Sequence, residues 1–200
     1  MAIEQARFES GMTYDQYKSQ MTRNRERLEQ NERQLVLEPT DLETLKSLPK
    51  PVNVLVLGED WCGDVIANLP VLGRLAAASD GKLNVRIFLR DQNLDIMDQY
   101  LNQGKFRSIP VFVFFDAKMT ELGHFIERPA SVTARLAEWR TGLFAKHPEF
   151  GGPETPPDQL PEDVRVKLGQ AMGQLRDELR PFSDREVIEY ILETAALAKA

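Results

Sequence analysis

The sequence predicts an α/β fold, a three-layer arrangement with a central mixed sheet between helices. Three observations carry this reading. Val52-Asn53-Val54-Leu55-Val56-Leu57-Gly58 is an apolar run of strand length. Leu83-Asn84-Val85-Arg86-Ile87-Phe88-Leu89 alternates as a strand does, and Val65, Leu69, Leu72 and Leu75 lie between the two runs at helical spacing. Strand, helix and strand of these lengths form a βαβ unit, with parallel strands and a right-handed crossover. Val111-Phe112-Val113-Phe114-Phe115, the turn residues Asp116-Ala117-Lys118 and the return from Thr120 to Ile126 then read as a hairpin, which makes the sheet mixed.

The remaining elements follow in order along the chain. Thr13-Tyr14-Asp15-Gln16 has capping-box form and opens a polar helix expected to reach about Asn31, with Tyr14, Tyr17, Met21 and Leu28 as its few apolar residues. The mixed charges from Arg23 to Arg33 read as a solvated face. Leu35-Val36-Leu37 is a short strand candidate. Thr40 or Asp41 caps a helix carrying Leu42, Leu45 and Leu48, ended by Pro49 and Pro51. Pro70 lies inside the helix that follows Cys62 and is expected to kink it or break its hydrogen bonding locally. Asn93 or Leu94 starts a short helix stopped at Gly104. Ser131 opens a helix with Val132, Leu136, Trp139 and Leu143 on one stripe.

His147 to Pro161 holds five of the twelve prolines and the Gly151-Gly152 pair, and therefore reads as a linker. Beyond it, Val164, Leu168, Met172, Leu175 and Leu179 form one helical stripe that Pro181 is expected to break. Ser183-Asp184-Arg185-Glu186 reads as a second capping box, opening a helix with Val187, Ile188, Ile191 and Leu192 on one face. The expected organisation is an N-terminal helical extension (1–33), a core domain (34–146), the linker (147–161) and a C-terminal helical hairpin (162–200).

The 200 residues are 42% hydrophobic and 28% charged, the balance of a globular protein with a substantial core. A net charge of −6 disfavours nucleic acid as a partner. No stretch approaches the ~20 apolar residues that span a bilayer, so no membrane partner is expected. The first residues, Met1-Ala2-Ile3-Glu4-Gln5-Ala6, lack the basic and apolar regions of a signal peptide, and the one cysteine makes no internal disulfide; both point to the cytoplasm. His124 and His147 are far apart in the chain and Cys62 has no ligand-spaced neighbour, which argues against a metal site.

Chemistry concentrates at Trp61-Cys62-Gly63-Asp64, between the first strand and its helix. A thiol at a helix start meets unpaired N–H groups and the positive dipole end, both of which favour thiolate. A free cysteine has a pKa of roughly 8.5, and such sites bring it toward neutrality. Val65 stands where a CxxC motif would place a second cysteine, so any redox chemistry here borrows its second sulfur.

The order of elements and four short motifs together resemble the thioredoxin superfamily. Trp61-Cys62-Gly63 looks like its active turn, Asp91-Gln92-Asn93 like the acidic-polar segment after the next strand, Ser108-Ile109-Pro110 like its Ile-Pro with a cis bond, and Gly123 like the glycine of its last strand. The resemblance covers about Leu35 to Leu143. It is nearest to uncharacterised bacterial thioredoxin-like proteins, on Glu59-Asp60-Trp61-Cys62-Gly63-Asp64 and Asn68-Leu69-Pro70. It implies Cys62 as nucleophile, with Ile109 and Pro110 binding an extended substrate beside it, Trp61 supplying an apolar wall and Gly63 completing the turn. The chain departs from the family at three points. Val65 replaces the resolving cysteine, Val56 stands where many thioredoxins bury an acid six residues before the first cysteine, and Asp64 replaces the proline between the cysteines.

These departures argue against autonomous dithiol reduction. They leave monothiol chemistry, in which Cys62 attacks a disulfide or mixed disulfide and an external thiol resolves it. Asp64 favours the helix dipole, opposes a neighbouring thiolate with Glu59 and Asp60, and is weighed as a proton shuttle. Lys105 and Arg107 precede Pro110 and are candidates to offset that negative field. No cofactor is expected, beyond a low-molecular-weight thiol as co-substrate. The partner is then a disulfide-containing protein or a small thiol. The competing reading is a non-catalytic thioredoxin-fold binding module that uses its C-terminal helices as a partner or dimer surface. A weaker third is a peroxide-sensing thiol, with Cys62 oxidised to sulfenic acid. A homodimer is compatible with all three readings.

Overall fold

The computed structural model describes residues 3–152 and 155–198. Residues 1, 2, 199 and 200, and the 153–154 part of the expected linker, lie outside the described residues. Strand β1 (Val52–Gly58) pairs in parallel with β2 (Leu83–Leu89) and antiparallel with β3 (Val111–Phe115); β4 (Glu121–Ile126) pairs antiparallel with β3, giving the order β2-β1-β3-β4. The mixed sheet and the βαβ unit agree with the expectation. β1 is central, so both of its faces are covered, and all of its residues but Asn53 are buried. This is why its sequence reads as a continuous apolar run and not as an alternation.

The N-terminal helices are part of this core. Helices α1 (Gln5–Glu9), α2 (Tyr14–Gln20) and α3 (Arg25–Gln34) contribute Phe8, Tyr17 and Leu28, all fully buried, to the main hydrophobic cluster. The expected capping box forms, with the Gln16 N–H donating to Thr13 Oγ1 and the Thr13 N–H donating to Gln16 Oε1. The single helix expected to reach Asn31 is two helices instead. The N–H groups of Thr22 and Arg23 donate to the Asp60 carboxylate, at 2.8 and 3.0 Å, and Asn24 adopts φ +56°. A side-chain acceptor from elsewhere in the chain thus replaces the helical carbonyls at that point.

Leu35-Val36-Leu37 joins no sheet; Val36 is 75% exposed and finds no strand to pair with. Helix α4 (Pro39–Ser47) is capped by Glu38, whose N–H donates to Asp41 Oδ2 at 2.8 Å, and so starts earlier than a Thr40 or Asp41 cap would allow. Helix α6 (Leu94–Met97) is a single turn, and Gly104 instead occupies a tight loop at φ +68°, closed by the Asn102–Phe106 bridge.

Helix α5 (Gly63–Ala78) runs through Pro70 without ending. A proline lacks the N–H that would bond the carbonyl four residues earlier, which here belongs to Ile66. The buried Asn31 side chain supplies the missing donor, Nδ2 to the Ile66 carbonyl at 2.9 Å. The helix therefore keeps its course because another helix satisfies the orphaned group. Gly73 serves the same packing. A Cβ there would meet the Tyr14 ring at 2.5 Å, so only glycine lets α2 approach α5 so closely.

The described residues divide into two compact units, one of residues up to Arg128 with those from Asp184 onward, the other Pro129–Ser183. The second unit holds α7 (Ala130–Lys146) and the first part of α8 (Glu162–Ala195). Its small core is Val132, Leu136 and Leu175, with Trp139, Met172, Leu179 and Phe182 packed around them. The expected C-terminal hairpin is a correction. Pro181 does not break the chain, Ser183 and Glu186 do not form a cap, and one helix runs from Glu162 to Ala195. The helical pair that does form joins α7 to the first part of α8, because the stripe of Met172, Leu175 and Leu179 finds its apolar complement there. In the first unit, Val187, Ile188, Ile191 and Leu192 enter the main cluster, and Arg185 forms a two-pronged ion pair with the buried Asp41 at 2.9 and 2.7 Å.

Two predictions follow from these contacts. Asn31→Leu leaves the Ile66 carbonyl without a donor and lowers stability by about 1–3 kcal/mol in urea titration; in a Pro70→Ala background, where residue 70 regains its N–H, the loss is smaller. Burial raises the Asp41 carboxyl, but Arg185 and the Glu38 N–H outweigh it, so its pKa lies below the ordinary 3.8. A lowered folded-state pKa means that the ion pair's contribution is full above the unfolded value and is lost as pH falls through the folded one. Asp41→Asn therefore destabilises by about 1.5–3 kcal/mol at pH 7, and in acid unfolding wild type and variant converge only once the pH has fallen below the lowered folded-state pKa of Asp41.

Candidate functional site

Cys62 caps α5 with extended backbone, φ −84° and ψ 120°. Its N–H donates to the Glu59 carbonyl at 3.2 Å, closing the turn, and its carbonyl accepts from the Ile66 N–H at 3.1 Å, starting the helix. The half-buried thiol donates to the Ile109 carbonyl at 3.4 Å. The Ile109–Pro110 bond is cis, as the resemblance implied. The sheet brings these partners together. Antiparallel pairing sets Leu57 opposite Val111, so the chain leaving β1 and the chain entering β3 meet at one end. Ile109 and Pro110 are themselves buried and offer backbone more than side chain.

Trp61 is 44% exposed, with the Arg90 guanidinium over its ring at 5.0 Å. Arg90 also bonds the Arg107 carbonyl at 3.1 Å, which fixes the loop before Pro110 relative to the tryptophan. Gly63 is the exposed first residue of α5. Val65, at the position of a resolving cysteine, is fully buried.

The electrostatics differ from the expectation in one respect that changes the chemistry. Asp64 is gripped by Arg128, with Nε to Oδ1 at 3.1 Å and Nη2 to Oδ2 at 2.6 Å, in a pair whose side chains are only 17% and 13% exposed. Its negative charge is thus matched locally and does not stand alone against a thiolate. Burial works against the charge of Arg128, but Asp64, Glu127 and the Cys62 sulfur outweigh it and hold the guanidinium firmly protonated. Arg107 instead closes on Asp98 at 2.7 and 2.9 Å, both side chains about half exposed, and Lys105 is exposed. The cation coupled to the sulfur is Arg128, just beyond β4, which sequence reasoning missed. Its partner lies 64 positions away, and no local pattern announces such a pair.

Three further groups surround the turn. Glu59 is 8% exposed; burial lifts its carboxyl above the ordinary range, partly countered by the Asp91 N–H that donates to it at 2.9 Å. Asp60 accepts from the N–H groups of Thr22 and Arg23 and from Thr22 Oγ1, and its carbonyl accepts from Asn24 Nδ2, so the N-terminal segment is latched to the turn that bears Cys62. The Asn68 amide donates to the Glu127 carbonyl at 2.9 Å, and Asn102 donates to Glu127 Oε2 at 2.9 Å, which ties the chain after β4 to both α5 and the loop before Ile109. No group of three or more metal-binding side chains occurs among the described residues.

The site carries one electrostatic prediction. Arg128→Gln removes the matching cation and slows iodoacetamide alkylation of Cys62 at pH 7 by about threefold or more. Asp64→Asn acts in the opposite sense, and the double variant returns toward wild type. Equal rates in all four proteins would show that the pair does not act on the sulfur.

The chain matches a family model described as Thioredoxin over residues 11–140. No curated protein matches it. Among solved structures, a protein of unknown function from Pseudomonas aeruginosa is 23% identical, with 72% of this chain and 92% of that one covered and a TM-score of 0.60. An HIV epitope scaffold is 21% identical, with 72% and 90% covered and a TM-score of 0.59. At these identities the two structures speak for the fold. With four strands in the order found, a cysteine capping the first long helix beside a cis Ile–Pro bond, and a family match over well more than half of its length, the chain belongs to the thioredoxin family.

Proposed function

We propose that the protein is a single-cysteine thiol–disulfide oxidoreductase that works through Cys62. The observation that supports this most directly is the half-buried thiol at the start of α5, against the Ile109 carbonyl and electrostatically coupled to Arg128. Helix N–H groups and a guanidinium both stabilise thiolate, the reacting form.

The Cys62 thiolate attacks one sulfur of a disulfide. A Cys62–S–S–R bond forms, the original S–S bond breaks, and the other half leaves as thiolate. With valine at position 65 the protein has no second sulfur to resolve this intermediate. A low-molecular-weight thiolate therefore attacks the R sulfur, forms a new disulfide with R and returns Cys62 as thiolate. Trp61 flanks the bound group and the Ile109 backbone aligns it. Asp64 serves here as the counter-charge that fixes Arg128, not as a proton shuttle. A reducing compartment supplies the resolving thiol, which favours the cytoplasm; no described helix is long and apolar enough to cross a membrane.

The binding-module reading draws on the same contact from the other side. A thiol whose S–H donates to the Ile109 carbonyl gives up that bond on ionisation, and the α7–α8 pair then offers the surface for a partner or second copy. Turnover separates the two. With excess glutathione, the wild-type protein reduces a small glutathione mixed disulfide at a rate proportional to protein concentration, and Cys62→Ser abolishes the rate. Wild-type turnover no faster than that of Cys62→Ser would reject the enzyme.

A further inference from the structure

We infer that Glu127, just beyond β4, is the positioning residue that aligns a bound disulfide at Cys62, by fixing the Ile109 backbone against the sulfur. This rests on the reading of Cys62 as the reacting group and deepens it. Two backbone features single Glu127 out. Its φ is +67°, in the left-handed region that a residue with a side chain enters at a cost. The Arg128 N–H donates to the Ile126 carbonyl at 2.9 Å across it, closing a three-residue turn of the rare kind whose central residue has positive φ. Such a conformation persists where the surroundings over-determine it.

Those surroundings are the two halves of the site. The sheet sets Val111 opposite Ile126, and one step further the Glu127 N–H donates to the Pro110 carbonyl at 2.7 Å. The Glu127 carboxylate, on a side chain 25% exposed, accepts from Asn102 Nδ2 at 2.9 Å, and the same amide nitrogen donates to Ser108 Oγ at 3.3 Å. Ser108 and Pro110 flank Ile109. Both neighbours of the residue that meets the sulfur are thus held by Glu127, one through its main chain and one through its carboxylate. On the other side, the Glu127 carbonyl accepts from the Asn68 amide of α5 at 2.9 Å, and Oε1 accepts from Arg128 Nη2, which also grips Asp64 in the first turn of α5.

The consequence is geometrical. Cys62 Sγ lies 3.4 Å from the Ile109 carbonyl oxygen. In disulfide exchange the Cys62 thiolate bonds the near sulfur of the substrate, the old S–S bond breaks, and the far half leaves as thiolate. The three sulfurs must be held in an aligned geometry for this to be fast. A substrate laid along the Ile109 backbone is aligned only as well as that backbone is placed. Alkylation by a small reagent uses the same thiolate without that support. The ratio of the two rates therefore separates alignment from ionisation.

The rates at which Cys62 reacts with glutathione disulfide and with iodoacetamide are measured at pH 7 in the wild type, Glu127→Gly, Glu127→Gln, Asn102→Ala and the Glu127→Gly/Asn102→Ala double variant. Glycine adopts positive φ freely and keeps the main-chain bonds, so Glu127→Gly removes the carboxylate and leaves the turn its conformation. This variant is expected to lower the rate with glutathione disulfide by about fivefold or more and to keep alkylation within about twofold, because Arg128 retains both bonds to Asp64. Asn102→Ala is expected to show a similar selective loss, and the double variant no more than the larger single one. Glu127→Gln, whose amide oxygen still accepts from Asn102, is expected within about twofold of wild type in both reactions. A Glu127→Gly rate with glutathione disulfide within about twofold of wild type, an equal fall in both reactions, or independent losses that multiply in the double variant would overturn the assignment. A wild type that turns over no mixed disulfide rejects the oxidoreductase, while the ratio of the two rates still decides the role of Glu127.

Discussion

The site depends on the pairing of β1 with β3. Because β1 lies in the middle of the sheet, antiparallel to β3 with Leu57 opposite Val111, two loops distant in sequence leave the same end of the sheet side by side. One loop carries Cys62 to the mouth of α5 and the other carries Ile109 and Pro110. The contact between sulfur and carbonyl follows from that register. Both faces of β1 are buried, so a slip of one residue would turn Val54, Val56 and their neighbours out of their packing on either side. The apolar core thus fixes the register, and the register fixes the chemistry.

The N-terminal helices hold the same end of the molecule from another direction. α3 satisfies the carbonyl that Pro70 orphans in α5, and the segment between α2 and α3 wraps the carboxylate of Asp60. Cys62 caps α5, so whatever steadies α5 steadies the sulfur. The Arg128–Asp64 pair adds a third restraint, from beyond β4. These three ties converge on the first two turns of α5 and the residues just before it. They account for a half-buried thiol held in one place without a second cysteine.

Proline shows how local rules meet tertiary context. Pro70 and Pro181 look alike in the sequence, each a helix breaker inside an apolar stripe, and neither ends its helix. At Pro70 the compensation is visible in the Asn31 amide. At Pro181 the helix passes near the boundary between the two compact units, with Phe182 in the smaller core under the Arg135 guanidinium and Val187 in the main one. Within each unit α8 buries its own apolar residues, and the cost of one missing hydrogen bond is small beside that burial.

Period and composition alone revealed the strands, the crossover helix, the hairpin and the turn that bears Cys62, because each is written in neighbouring residues. The apolar run of β1, the alternation of β2 and the stripe of α5 reflect faces that must be buried, and burial is legible at short range. Arg128 on Asp64, Asn31 on Ile66 and Asp60 interrupting the first long helix were not legible. Each joins polar groups tens of positions apart, whose partners are chosen by how the layers stack. Hydrophobic pattern survives in a linear string because it repeats; a single hydrogen bond across the fold leaves no period to read.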